Sequence, residues 1–309
     1  MTNHDLEKIV ETSDEWILTR SGIRERRVAD EKTSTVDIAS EAGRKALEMA
    51  EIQPSEIDLI IMCTMTPDHA LPASACQVME RLEIPNCMAF DINAACTGWI
   101  YGMNIAHGLF QTGQAKKALV IGADCLTKVT NFKDRSTCVL FGDGAGAAVL
   151  GEVPDGRGLM SIFCSCDGRM HRNLMIPGGG SRKPFSQEVL DNDEQYIRME
   201  GNDVFKFAVR IMPEALNDAL AKACLTPADL DWVIPHQANL RIIDSAIKRL
   251  NIPPDRFIVN LDRFGNTSAA AVGLAMDEAI RDGRVKRGQL VGLVAFGGGL
   301  TWGAAIIRL

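Results

Sequence analysis

The chain has 309 residues, a formal net charge of −7, 46% hydrophobic and 24% charged residues. This is the balance of a folded globular protein, with room for two ordinary domains or one large α/β body. The acidic balance argues against a general nucleic-acid binder, no apolar run reaches the length of a membrane span, and Met1-Thr-Asn-His-Asp5 has no signal-peptide character.

Nine cysteines without a Cys-x-x-Cys pair, several in runs such as Ile60-Ile-Met-Cys63, fit free thiols in a reducing cytoplasm better than disulfides. Cys164 and Cys166 would share one strand face, but they have no His or Cys neighbours in sequence to complete a zinc site, and no metal is expected.

In chain order, Ala46–Ile61 reads as a helix, a turn led by Pro54 and a buried strand. Asp91-Ile-Asn-Ala-Ala-Cys96-Thr-Gly98 follows, opening onto a mostly apolar, buried helix over Thr97–Phe110. Next come Gly113–Gly122, with a strand at its end, and Phe141-Gly-Asp-Gly leading into Gly146–Leu150. From Gly158 the pattern begins again. Ala219–Ile234 repeats the helix, the turn (Pro227) and the strand at an offset of 173, and Gly283–Gly292 repeats Gly113–Gly122 at 170. Phe296-Gly-Gly-Gly with Gly303–Ile307 echoes the Phe141 segment. A period this long means two fused homologous halves, 1–155 and 156–309. Alternating helices and short apolar strands give mostly parallel sheets, with antiparallel terminal strand pairs at 138–150 and 290–308, stacked as an α/β/α/β/α body. The strand Gly158–Cys164 has no counterpart in the first half, which is expected to lack its first strand.

An offset of 170 also sets Asn266, in Arg263-Phe-Gly-Asn266-Thr-Ser268, opposite Cys96. Cys96 falls at a helix N-terminus, where unpaired N–H groups and the dipole favour the thiolate. Of the five histidines, His236 ends the buried strand Trp232–Pro235, at the strand carboxyl end where open α/β sheets bind ligands. Asn266 also suits a turn or an N-cap. The glycines at 297–299 permit the close backbone approach an oxyanion hole needs, and neither glycine loop has the form of a nucleotide site. A thiol nucleophile facing a carbonyl-binding amide points to thioester chemistry.

Several motifs together carry a family resemblance. They are Thr12-Ser-Asp-Glu-Trp16 with Thr19-Arg20-Ser-Gly-Ile-Arg24, Asn93-Ala-Ala-Cys96, Asp134-Arg135 with Phe141-Gly-Asp-Gly-Ala-Gly, His236-Gln-Ala-Asn-Leu-Arg241, Gly265-Asn266-Thr-Ser and Phe296-Gly-Gly-Gly-Leu-Thr-Trp302. In this order the chain resembles β-ketoacyl-acyl-carrier-protein synthase III, the initiating condensing enzyme of type II fatty acid synthesis, of thiolase fold. The resemblance implies that Cys96 takes an acyl primer, acetyl in the first place, from coenzyme A. His236 and Asn266 would hold malonyl-acyl carrier protein during decarboxylation, and the Cys96 and Gly298 N–H groups would form the oxyanion hole. It further implies a homodimer, no cofactor beyond the coenzyme A thioester substrate, and coenzyme A contacts from Thr12, Trp16, Arg20, Arg135, Phe205 and Asn239.

Lys206, Arg241, Lys248 and Arg249 form a basic group on an acidic protein, and Arg241 and Lys248 are spaced for one helix face. They are read as a docking patch for the acidic carrier protein. Leu71 stands where many family members carry Phe beside the partner's acyl pocket, and Trp99 is bulkier than the usual Phe. Two other readings compete: a specialised thiolase-fold acyltransferase of secondary metabolism, and a non-catalytic partner subunit. The second is expected to lack the nucleophile, and Cys96 is present.

Overall fold

The computed structural model describes residues 1–309. Two short helices, α1 (Asn3–Leu6) and α2 (Asp14–Ser21), precede α3 (Thr35–Ala50), β1 (Leu59–Cys63), α4 (Ser74–Arg81), β2 (Met88–Ile92) and α5 (Gly98–Gln111). Then come β3 (Ala118–Cys125), α6 (Arg135–Cys138), β4 (Asp143–Leu150), β5 (Gly158–Cys166), β6 (Leu174–Met175), α7 (Gln187–Asp191) and β7 (Arg198–Met199). The chain closes with α8 (Gly201–Lys222), β8 (Trp232–Pro235), α9 (Leu240–Leu250), α10 (Leu261–Phe264), α11 (Ala270–Arg281), β9 (Leu290–Gly297) and β10 (Thr301–Arg308).

Two four-stranded sheets, ordered β2-β1-β3-β4 and β5-β10-β9-β8, form the frame. In the first, β1 runs parallel to β2 and β3, and β4 is antiparallel to β3. In the second, β8 is parallel to β9, and β10 is antiparallel to both β9 and β5. A parallel bridge from Val233 to Phe257 extends the second sheet where β2 stands in the first. The outer edge of β4, where β5 would stand by that correspondence, borders a groove of about 430 Å³ lined by Ile38, Ala145, Ala147 and Leu274 among others.

Side-chain alternation along the strands explains the layers. Ile60, Met62, Leu119 and Ile121 meet Val36, Ala39, Leu47 and Val78 of α3 and α4 on one face. Leu59, Ile61 and Val120 point to the other face, against Trp99, Ile100 and Met103 of α5. The same cluster takes in Val272 and Ala275 of α11 with Leu293 and Ala305 of the second sheet, so α5 and α11 lie between the sheets. On the far side α8 and α9 bury Phe207, Ile211, Leu216, Ile242 and Ile243 against Val233, Val294 and Ile306. Five layers, α/β/α/β/α, result.

One reading of the terminal strands is corrected. Residues 138–150 hold one strand, because Asp134 caps a short helix ending at Cys138 and the strand begins only at Asp143. Its antiparallel partner is β3. Residues 170–195, which follow no family pattern in the sequence, hold β6 and α7, and β6 pairs with β7 just beyond them as a two-stranded ribbon. All nine thiols are free, and Cys76, Cys166 and Cys224 are exposed.

Candidate active site

Two elbows of the same build face the middle of the molecule. After β2, Asn93 Oδ1 accepts from the Ala95 N–H at 3.1 Å, Ala95 takes a left-handed conformation (φ 47°), and Cys96 follows in a single tight turn before α5. In the second half, Asn266 Oδ1 accepts from the Ser268 N–H at 2.9 Å, Ser268 is left-handed (φ 51°), and Ala269 leads into α11. The structural counterpart of Asn266 is therefore Asn93, and that of Cys96 is Ala269. The offset is 173, as for the helix, turn and strand, so the pairing of Cys96 with Asn266 at 170 is corrected. Side-chain chemistry suggested the earlier pairing, whereas the backbone matches the two turn-forming asparagines.

At the same offset His236 replaces Cys63 and Gly297 replaces Asp124. The last exchange separates the two elbows chemically. Asp124 Oδ2 accepts from the Ala269 N–H at 3.3 Å, plugging the second elbow. Gly297 carries no side chain, and a Cβ there would lie 2.7 Å from Cys96 N. No backbone carbonyl takes the N–H of Cys96 or of Gly298. Thr301 Oγ1 braces the open elbow by bonding Ala94 O at 3.1 Å and lying 3.0 Å from Thr97 Oγ1.

Cys96 is buried, and burial pushes its pKa up to about 12, with the Ser268 hydroxyl pulling the other way and Asp124 adding to the rise. Burial thus favours the thiol and opposes the thiolate that a helix N-terminus favours. His236 packs edge-on against Phe296, with ring centroids 5.4 Å apart. Burial pulls its pKa down to about 3, so the imidazole is neutral, and neither ring nitrogen has a partner. The Asn266 main chain is fixed by Asn266 N–H to Leu140 O (2.8 Å) and Gly142 N–H to Asn266 O (3.0 Å). Gln237 holds the loop beside it, donating to Pro235 O and Ile258 O and accepting from the Asn260 and Leu261 N–H groups.

Around α2, Trp16 is half-buried, with the Arg135 guanidinium 4.7 Å and that of Arg20 5.9 Å from its ring centroid. Nearby, Thr12 Oγ1 is buried without a partner. Asn239 caps α9 through the Arg241 N–H and donates to Arg20 O at 3.0 Å, which ties α9 to α2. Arg241 lies 5.2 Å over the half-buried Phe205 ring. Lys206, Arg241, Lys248 and Arg249 are all exposed, and so is Leu71 on the loop before α4.

The sequence reading overlooked Asp124, Ser268, Gln237 and the left-handed Ala95. The repeated Asn-x-x step, Asn93 to Cys96 and Asn266 to Ala269, was the available signal for the elbows.

Comparison with known proteins bears on the same residues. Two family models match the chain: 3-oxoacyl-[acyl-carrier-protein] synthase III over residues 90–168, and its C-terminal part over residues 220–309. The β-ketoacyl-[acyl-carrier-protein] synthase III of Caldanaerobacter subterraneus is 51% identical over 308 residues, covering 100% of this chain and 93% of that protein. This chain belongs to that family. It is accordingly an acyltransferase of thiolase-like fold, a condensing enzyme that initiates fatty acid synthesis using acyl carrier protein. Among solved structures, the synthase III of Aquifex aeolicus superposes with a TM-score of 0.93 at 46% identity, covering 100% of this chain and 95% of that one. The priming β-ketosynthase of the R1128 polyketide pathway gives 0.92 at 34%, covering 100% and 92%. No helix is long and apolar enough to cross a membrane.

Proposed function

We propose that the chain condenses an acyl-coenzyme A primer, acetyl-coenzyme A first, with malonyl-acyl carrier protein through an acyl-Cys96 intermediate. In the first half-reaction the Cys96 sulfur attacks the primer carbonyl, and the N–H groups of Cys96 and Gly298 receive the oxyanion. The carbon–sulfur bond to coenzyme A then breaks, and the Cys96 proton leaves with the coenzyme thiol. In the second, His236 and Asn266 donate to the malonyl thioester carbonyl while the carboxylate bond breaks. Its electron pair forms an enolate as carbon dioxide leaves; the enolate attacks the acyl carbonyl and expels the Cys96 sulfur as a thiolate, which a proton from solvent returns to the thiol.

The observation carrying this reading is the buried, unpartnered imidazole of His236. An imidazole with its pKa drawn down to about 3 offers a neutral N–H and does not protonate the enolate it stabilises. Decarboxylation itself supplies the carbanion, so the residues of the site have only to bind, orient and donate hydrogen bonds.

Trp16, with the Arg135 and Arg20 guanidinium groups 4.7 and 5.9 Å from its ring centroid, suits an adenine ring. Thr12, Phe205 and Asn239 are assigned to the rest of coenzyme A. The exposed Lys206, Arg241, Lys248 and Arg249 suit an acidic carrier protein, and Leu71 is assigned as a gate to the acyl pocket of a second copy.

The test is labelling with radioactive acetyl-coenzyme A. A stoichiometric burst on Cys96 is expected, with 3-ketoacyl product only after malonyl-acyl carrier protein is added. Undiminished labelling of Cys96→Ala removes the proposal. The resemblance to the polyketide priming synthase supports a second reading, a specialised condensing enzyme. A burst obtained with longer primers and not with acetyl-coenzyme A would favour it.

A further inference from the structure

The proposed reaction gives a role to His236 and none to the residue after it. Gln237 is 1% exposed, and its amide uses both of its donors and both of its acceptor positions. Nε2 donates to Pro235 O at 2.7 Å and to Ile258 O at 3.2 Å, and Oε1 accepts from the N–H groups of Asn260 at 3.0 Å and Leu261 at 3.2 Å. Asn260 and Leu261 open α10, whose first turn has no side-chain cap from Asn260. At its other end the Gly265 N–H bonds Leu261 O at 2.9 Å, and Asn266 follows. One side chain, carried by the backbone that carries His236, thus grips the helix that delivers Asn266.

The first half has no such device. The parallel bridge from Val233 to Phe257 stands where Ile60 pairs with Ala89, so Phe257 matches Ala89 at an offset of 168. Between Asn93 and Asn266 the offset has grown to 173, and the inserted residues hold α10. In the first half β2 ends at Ile92 and Asn93 follows directly. The residue at the place of Gln237 is there Thr64, whose hydroxyl donates to Asp124 at 2.9 Å. An inserted helix adds freedom in where the elbow stands, and the Gln237 amide removes it. Main-chain bonds anchor the two donors to different elements, His236 N–H to Val294 O of β9 at 2.7 Å and Asn266 N–H to Leu140 O at 2.8 Å. Gln237 ties the two anchored segments to each other.

We propose that Gln237 is a positioning residue for the second half-reaction, fixing the spacing of His236 and Asn266 so that both donate to one malonyl carbonyl oxygen. This rests on the roles proposed for His236 and Asn266. Two donors meet one oxygen only if each stands about 3 Å from it, and a displacement of about 1 Å costs up to about 10²-fold in rate. The four partners of Gln237 include nothing from the Cys96 elbow or from Gly298, so acyl transfer to Cys96 does not depend on it.

The experiment separates the two half-reactions of the full chain in wild type, Gln237→Met, Gln237→Asn and Asn266→Ala. Radioactive acetyl-coenzyme A is given first and the burst on Cys96 is measured. Malonyl-acyl carrier protein is then added, and the 3-ketoacyl product of a single turnover is followed. Methionine fills the place of glutamine without its hydrogen bonds, and asparagine keeps the amide one methylene short of α10. Both variants are expected to keep the wild-type burst and to lose about tenfold to 10²-fold in the second step. A wild-type second step in either folded variant overturns the proposal, and so do equal losses in both steps, which would mean a general loosening of the fold. If thermal unfolding shows that the methionine variant does not fold, the asparagine variant decides. Asn266→Ala keeps this result apart from the reading beneath it. A slow second step there beside a normal one in Gln237→Asn removes Gln237 alone, whereas a normal second step in Asn266→Ala removes the role of Asn266 and the proposal with it.

Discussion

At the residue scale the site is governed by what burial does to two groups. The Cys96 sulfur and the His236 ring are both taken out of water and both are driven to their neutral forms. For His236 this has a consequence for stability. The folded chain takes up that proton only as pH falls to about 3, against 6.5 for the free side chain, so between these limits the unfolded chain holds the extra proton. The contribution is intact above pH 6.5 and is lost progressively as pH falls towards 3. One proton corresponds to roughly 1.4 kcal/mol per pH unit, or about 2 kcal/mol between pH 6.5 and 5. His236→Gln should flatten that part of the curve. Urea unfolding of both proteins at pH 7.5 and pH 5 reads it, and equal losses in the two would show that His236 is not the group responsible.

The proposed roles of Cys96, His236 and Asn266 were suggested by the sequence because each sits beside a pattern boundary, a strand end or a glycine. The place of Asp124 was not, because it comes from approach across the interior between residues 145 positions apart, in the Asp124–Ala269 bond. No local pattern records such an approach.

At the element scale the repeat organises the fold, and its departures from symmetry create the site. The sequence revealed helix, turn and strand pairs correctly, since hydrophobic period and proline position are local signals. It misaligned the elbows by three residues because a reactive side chain was matched to another reactive side chain. With the correct alignment, β3 brings Asp124 to one elbow and β9 brings Gly297 to the other, and only the second stays open. Two glycine substitutions separate the consequences. In Gly297→Ala the new Cβ would meet Cys96 N at 2.7 Å and Cys96 Cβ at 3.2 Å, closing the oxyanion position. Acyl transfer should fall by about 10²-fold or more. In Gly122→Ala the new Cβ would lie 2.2 Å from Ala269 O, against the main chain entering α11. That variant is expected to lose about 1–3 kcal/mol of stability by overpacking. Thermal unfolding together with the acetyl-labelling burst checks the pair, and an unchanged burst in Gly297→Ala would contradict the open-elbow argument.

At the scale of the whole molecule, the two four-stranded sheets leave three edges without a strand beside them, those of β2, β4 and β5. The edge at β2 carries apolar side chains: Met88 is 43% exposed, and Leu71, on the loop that precedes α4, is 86% exposed. An exposed strand edge with apolar side chains is a template for pairing, and a two-fold dimer places the same patch against itself. The homodimer expected from family resemblance is proposed to pair through β2, with Leu71 of each copy reaching the other's acyl site. Sequence alone could not locate this edge, since Met88–Ile92 reads as a short apolar strand whether its neighbour is the same chain or another. Two substitutions probe different parts of the argument. Met88→Glu places a charge in the pairing edge, and sedimentation equilibrium should show dimerisation weakened by about 1 kcal/mol, a shift from dimer towards monomer at micromolar protein. Leu71→Ala should leave the dimer intact and change the relative rates of acetyl and longer primers in the labelling burst. A Met88→Glu protein that sediments as wild type would move the interface away from β2, and Leu71 would then have no acyl site to gate.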